Sequence, residues 1–190
     1  MASAADLRES AILRYSRGAI WFHWVIAALI VANLILGLYH EDFGKAAEAS
    51  IMFFHKSTGL AILALSVGRL FWRVRNRPPA FDDALRPWEK TLAHVTHWLF
   101  YGLMIGIPLT GWLLVSANDR STSFFGLFDI APLPFPRGHE PHEFWEEVHE
   151  IAGKVMIGLI LLHVAGALKH HLQGHRHLIG RMTPWGSRTR

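Results

Sequence analysis

The segment Val148–Lys169, VHEIAGKVMIGLILLHVAGALK, decides how this chain is read. It is apolar enough to cross a bilayer, yet His149 stands at its start and His163 further along. The two are 14 residues apart, close to four helical turns, so both rings leave a helix on nearly the same face, ~21 Å apart along its axis. A side chain that can carry charge or ligate a metal is costly in lipid, and its presence there points to function. Two on one stripe, one near each membrane surface, suggest two cofactors stacked across the membrane. The remaining ligands must come from elsewhere in the chain.

Three further apolar runs can supply them. They are Ala19–Tyr39 (AIWFHWVIAALIVANLILGLY), Ile51–Trp72 (IMFFHKSTGLAILALSVGRLFW) and Thr91–Ser116 (TLAHVTHWLFYGLMIGIPLTGWLLVS). With 148–169, each is long enough to span the hydrocarbon core as a helix, which takes about 20 residues. Pro108 should kink the third, with Gly106 and Gly111 easing close packing around it. The expected fold is therefore all-α: an integral membrane four-helix bundle over residues 19–172, flanked by a polar segment 1–18 and a tail 173–190. Residues 1–18 lack the apolar stretch of a removable signal peptide. The end of the tail is expected to be disordered.

Composition agrees. Of 190 residues, 51% are hydrophobic, and the 8 Trp and 12 Phe suit aromatic belts at the membrane surfaces. There is no cysteine, which excludes disulfides, thiolate-ligated zinc, iron–sulfur clusters and covalent C-x-x-C-H haem attachment. The 13 histidines are the one abundant ligand type. The net charge of +4 could suggest nucleic acid, but its placement argues for topology. Fourteen Lys and Arg lie in the N-terminus, the 73–90 connector with Arg69, and the tail, against Lys45, Arg120 and Arg137 in the two other loops. By the positive-inside rule both termini are cytoplasmic. No basic face interleaved with stacking aromatics is present to bind nucleic acid.

That topology places His23 near the cytoplasmic end of the first span and His55 near the outer end of the second. Depth alone then pairs His55 with His149 and His23 with His163. A planar macrocycle with iron at its centre needs one ligand from each side, and helices facing across a bundle can supply them. The competing reading, four satisfied core histidines, is weaker because they fall at two matched depths in lipid. Zinc or copper is disfavoured, since only two imidazoles sit at each level.

His94 and His97 share a face one turn apart in the third span. They could replace His23 or His163 as inner ligands, but are better read as interfacial or supporting groups. Lys169 and His170, with His171, close the fourth span. This is ordinary helix-end chemistry, or, with His94 and His97, a quinone or proton site. Lys56 and Lys154 could meet the propionates of an outer haem or simply snorkel to the surface, and with Arg120 could attract an anionic substrate; Arg17 and Arg69 stand at the inner level for propionate pairing or for plain positive-inside anchoring. Gly59, Gly68, Gly153, Gly158 and Gly166 leave space for a flat cofactor or for helix packing. His139, Glu140, His142 and Glu143 do not make the H-E-x-x-H of a zinc protease and are expected to be solvated in the long 117–147 loop.

YSRGAIWFHW, FHKSTGLAILALSVGRLFWR, LAHVTHWLFYGLMIGIPLTGW and VHEIAGKVMIGLILLHVAGALKHH together resemble the bacterial cytochrome b561 family over roughly residues 14–172. The resemblance implies a four-helix inner-membrane protein with two non-covalent b haems. The family's axial histidines fall on His23, His55, His149 and His163, and its further H-x-x-H on His94 and His97. Some relatives are superoxide oxidases that reduce ubiquinone. Others are b-type subunits that take electrons from a partner protein. The resemblance thus implies superoxide or a periplasmic carrier as donor and ubiquinone as acceptor. The outer loops are acidic, with three cations against Glu41, Asp42, Glu48, Asp119, Asp129, Glu140, Glu143, Glu146 and Glu147. Any attraction of an anion there must be local.

Overall fold

The computed structural model describes residues 14–81 and 85–183. Its elements are α1 (Arg17–Leu38), α2 (Lys45–Arg75), α3 (Pro87–Ala117), β1 (Thr122–Phe124), β2 (Phe128–Ile130), α4 (His139–Leu172) and α5 (Arg176–Gly180). The expected disorder of the last residues concerns 184–190, which lie outside the described residues, as does the start of the N-terminal segment. All four long helices are long and apolar enough to cross a membrane.

Local chemistry sets their ends. Ser16 caps α1, its hydroxyl accepting from the Ala19 N–H at 3.3 Å. Pro87 opens α3, and the Glu89 carboxylate accepts from the Arg86 N–H at 2.9 Å. Gly44 and Gly138 precede α2 and α4 at φ of 78° and 124°, which only glycine takes without strain. The helices outrun their apolar stretches. At 1.5 Å per residue, the 31 residues of α2 reach about 46 Å, beyond a hydrocarbon core of about 30 Å.

Each helix packs antiparallel on the next. Trp72 of α2 lies against Gly18 of α1, so closely that a Cβ there would collide with its ring. Lys169 at the end of α4 pairs with Glu89 at the start of α3 at 2.7 Å. The core is a small cluster of Ile26, Tyr101, Met104 and Met156, flanked by residues of all four helices. The outside is apolar: Leu161 is 65% exposed, and Val31, Phe54, Phe71, Leu99 and Val155 are also turned outward. In water this surface would drive aggregation; in lipid it is the solvent-facing side.

Two segments tie down the ends. At the end of the bundle where α2 and α4 begin, the 117–147 connector forms a β-hairpin in the register Thr122↔Ile130, turning at Phe125 and Gly126. Buried Ser57 of α2 latches it, donating to the Ser123 carbonyl at 2.9 Å and accepting from the Phe125 N–H at 3.1 Å. Ser116 likewise donates to the Trp112 carbonyl and accepts from the Leu133 N–H. At the opposite end the first and last described residues meet, the Tyr15 N–H donating to the Arg181 carbonyl at 3.3 Å. The Trp24 indole donates to the Met182 carbonyl at 2.8 Å, and Arg181 donates to the Ala80 carbonyl at 2.7 Å. These are the hairpin end and the terminal end of the bundle.

Candidate functional site

At the hairpin end, α2 carries His55 and α4 carries His149, with ring centres 6.1 Å apart. Each ring is oriented by backbone. His55 Nδ1 lies 3.0 Å from the Asn33 carbonyl, and His149 Nδ1 lies 3.0 Å from the Ile107 carbonyl and 3.0 Å from the Thr110 hydroxyl. A carbonyl only accepts, so these contacts place the proton on Nδ1 and leave Nε2 with its lone pair. Two glycines make room. A Cβ on Gly37 would fall 2.9 Å from the His55 ring, and one on Gly111 would fall 3.1 Å from the His149 ring.

At the terminal end, about four turns away along α4, His23 of α1 and His163 of α4 have ring centres 6.2 Å apart. His97 of α3 stands 6.1 Å from the same His163. Three imidazoles therefore meet where depth predicted two, and His163 is common to both contacts. Arg69 brings a guanidinium nitrogen to 3.4 Å from His23 Nδ1. Phe100 packs edge-on to His163 at 5.4 Å.

The separation has a chemical meaning. An imidazole nitrogen lies about 2 Å from a metal it ligates and about 1 Å from its own ring centre, so two rings on opposite sides of one ion are about 6 Å apart. The separations at both levels suit that arrangement. Among the described residues no group of three or more His, Cys, Asp or Glu could hold a metal ion by itself. The donor sets fit a metal that brings its other ligands with it.

The other residues expected at the site are dispersed. Lys56, next to His55, is half-buried and has no hydrogen bond or ion pair among the described residues. Lys154 is occupied by Glu150 at 2.7 Å. Arg17 is exposed. Lys169 is held by Glu89 and lies over the Trp88 ring at 4.9 Å. His94 is exposed and accepts from the Trp98 indole at 3.1 Å, apart from the imidazole group that His97 joins. The His170 ring sits beside His175, at 6.2 Å. His139 and His142, expected in a loop, lie in the first turns of α4 and face Glu143 and Glu146 four residues on.

Several participants had no sequence signal. The Asn33 and Ile107 carbonyls are backbone atoms that any residue carries. Gly59 faces Asn33 and Gly68 faces Phe22, while Gly153, Gly158 and Gly166 have open space around them. The glycines at the rings are Gly37 and Gly111. Arg73, whose guanidinium carbon lies 5.6 Å from the Tyr101 ring centre beside that of Arg69 at 5.5 Å, was legible only in part: it follows Arg69 by one turn, the spacing of two cations on one helix face.

The family model described as prokaryotic cytochrome b561 matches residues 14–185. Cytochrome b561 homolog 2 of Escherichia coli (strain K12) is 29% identical over 165 residues, covering 83% of this chain and 85% of that protein. Probable superoxide oxidase CybB of Yersinia pestis is 26% identical over 171 residues, 90% of this chain and 96% of that one. The match takes in both histidine levels and all four spanning helices of a multi-pass bacterial inner-membrane protein, and the chain belongs to the prokaryotic cytochrome b561 family.

Proposed function

We propose that this protein moves electrons across the inner membrane by means of two non-covalent b haems. His55 and His149 hold one and His23 and His163 hold the other. It oxidises superoxide at the hairpin end and reduces ubiquinone near the terminal end. The observation that carries the reading is the pair of imidazole couples, 6.1 and 6.2 Å between ring centres, at two depths of one bundle. Haem bound at these levels would supply the one-electron chemistry, with its potential tuned by what surrounds it. Two superoxide anions give up one electron each and leave as O2; one quinone takes both electrons and two protons and becomes quinol.

The chain's own residues fix the geometry of that exchange. Backbone carbonyls at Asn33 and Ile107 hold the His55 and His149 rings with Nε2 free. Lys56 is the cation placed to draw a small anion towards His55, because Glu150 already neutralises Lys154. The excess of Lys and Arg at the terminal end supports a cytoplasmic location for both termini. His97 and His170 are among the groups at that end, with His94 and Lys169, able to pass protons to a quinone as it is reduced.

A second reading makes the protein a b-type subunit or anchor relaying electrons between the quinone pool and a periplasmic carrier. The exposed carboxylates of the first turns of α4, Glu140, Glu143, Glu146 and Glu147, favour it, since they would suit a basic partner. Purified protein given enzymatically generated superoxide and a soluble ubiquinone separates the two. Quinol formation without any partner supports the first. Quinol formation or consumption only when a cationic carrier is added overturns it in favour of the second.

A further inference from the structure

Arg69 and Arg73 project from successive turns of α2 onto one aromatic ring. The Arg69 guanidinium carbon is 5.5 Å from the centre of Tyr101, and that of Arg73 is 5.6 Å from the same centre and 5.8 Å from Trp98. Tyr101 itself is buried in the core cluster. Among the described residues neither arginine meets a carboxylate. Arg69 also turns inward, towards His23, rather than out to the membrane surface. Ordinary snorkelling carries a cation away from the core. Here two like charges converge at the edge of it, and each makes the other less favourable unless an anion joins them.

We propose that Arg69 and Arg73, laid against Tyr101, form a carboxylate-binding site, and that it takes the propionates of the haem held by His23 and His163. This rests on the proposed haem at the terminal end and adds to it a site whose second arginine and aromatic floor had no assigned role. Guanidinium suits the task because its planar fork meets a carboxylate with two parallel N–H bonds while its face stacks on an aromatic ring. Positive charge beside a haem also favours its reduced form, so the site sets which of the two levels holds an electron.

The test is redox titration of detergent-purified holoprotein carrying Arg73→Gln or Arg69→Gln, with haem counted per chain. Arg73→Gln is the safer variant, being nearer the helix end. Losing one charged contact should shift the reduction equilibrium of a single haem about tenfold towards the oxidised form, about 59 mV for one electron, and leave the other unchanged. Haem-depleted wild type should also prefer haem to its dimethyl ester at the terminal level, and the Gln variants should lose that preference. Unchanged potentials, or equal shifts at both levels, overturn the proposal. Shifts in the variants with no ester discrimination in wild type would assign the arginines to a free carboxylate and overturn the propionate assignment. Wild type lacking haem at the terminal level would instead defeat the proposed function, a failure the haem count shows directly.

Discussion

The two ends of the bundle solve the same problem differently. At the hairpin end each imidazole is fixed twice, by a carbonyl at Nδ1 and by a glycine that clears space for the ring. At the terminal end His163 faces two imidazoles at nearly equal distance, and His23 Nδ1 faces a guanidinium, which can only donate. That contact places the His23 proton on Nε2, the reverse of the hairpin end. One level leaves the Nε2 atoms of both its imidazoles unprotonated. The other is charged, and there His23 would have to move its proton to Nδ1 before Nε2 could face a metal. A relay with one fixed and one tunable station can separate the site that meets the donor from the site that sets the direction of flow.

The largest effects should come from the histidines themselves. His149→Ala and His55→Ala should each remove one of about two b haems per chain, measured as the pyridine haemochrome of purified protein, with the other haem's spectrum intact. His163→Ala and His23→Ala should remove the other. His97 is the sharper arm of the comparison, since it is as close to His163 as His23 is. His97→Ala should keep both haems and move only the terminal one's spectrum. If His97→Ala loses a haem while His23→Ala does not, the pairing at the terminal end belongs to α3 and α4 instead.

Next come the glycines that give the hairpin end its rigidity. Gly37→Val would drive a branched side chain into the His55 ring, where even a Cβ stands 2.9 Å away. Overpacking of this kind costs about 1–3 kcal/mol. The expected outcome is loss or weakening of the hairpin-end haem alone, read by haem content and by the redox titration. Gly158→Ala, on α4 with open space around it, should do nothing. Equal effects of the two would mean that Gly37 matters for helix packing in general.

The same contrast explains what could be read in the sequence. Four spans, and the depth of each histidine, follow from apolar length and helical rise, because lipid forces every backbone group into helices. Depth brought His55 to the level of His149 and His23 to that of His163, and the structure sets those rings side by side. Depth does not give rotation of one helix about its axis relative to its neighbours. His94 and His97 looked equivalent by spacing, yet His97 turns to His163 and His94 to Trp98. The sequence offers Lys154 to a propionate or to the membrane surface, and Glu150 one turn before it takes it instead; the hairpin reads as a loop because three-residue strands carry too few residues to show a period. The carbonyls that orient the rings are invisible to any reading of side chains.

Ser57 and Lys56, consecutive on α2, allow the hairpin end to be dissected further, the first by stability and the second by rate. Ser57→Ala removes both latch bonds to the hairpin and leaves the Phe125 N–H without its partner, which costs about 1–3 kcal/mol for a buried group. Because the loss falls on the hairpin, it should appear as faster hydrogen exchange and proteolysis over residues 117–138, with haem content unchanged. Lys56→Gln leaves the latch in place and takes away one charge. Steering by a single cation in a field otherwise acidic is short-ranged, so the superoxide-dependent rate should fall only a few-fold, most at low ionic strength and hardly at all in high salt. Lys154→Gln, whose charge Glu150 already offsets, should show neither the fall nor the salt dependence. A rate that ignores Lys56 at every ionic strength would mean that the anion reaches the hairpin-end site by another route, and that the unpaired lysine serves only to anchor α2 at the membrane surface.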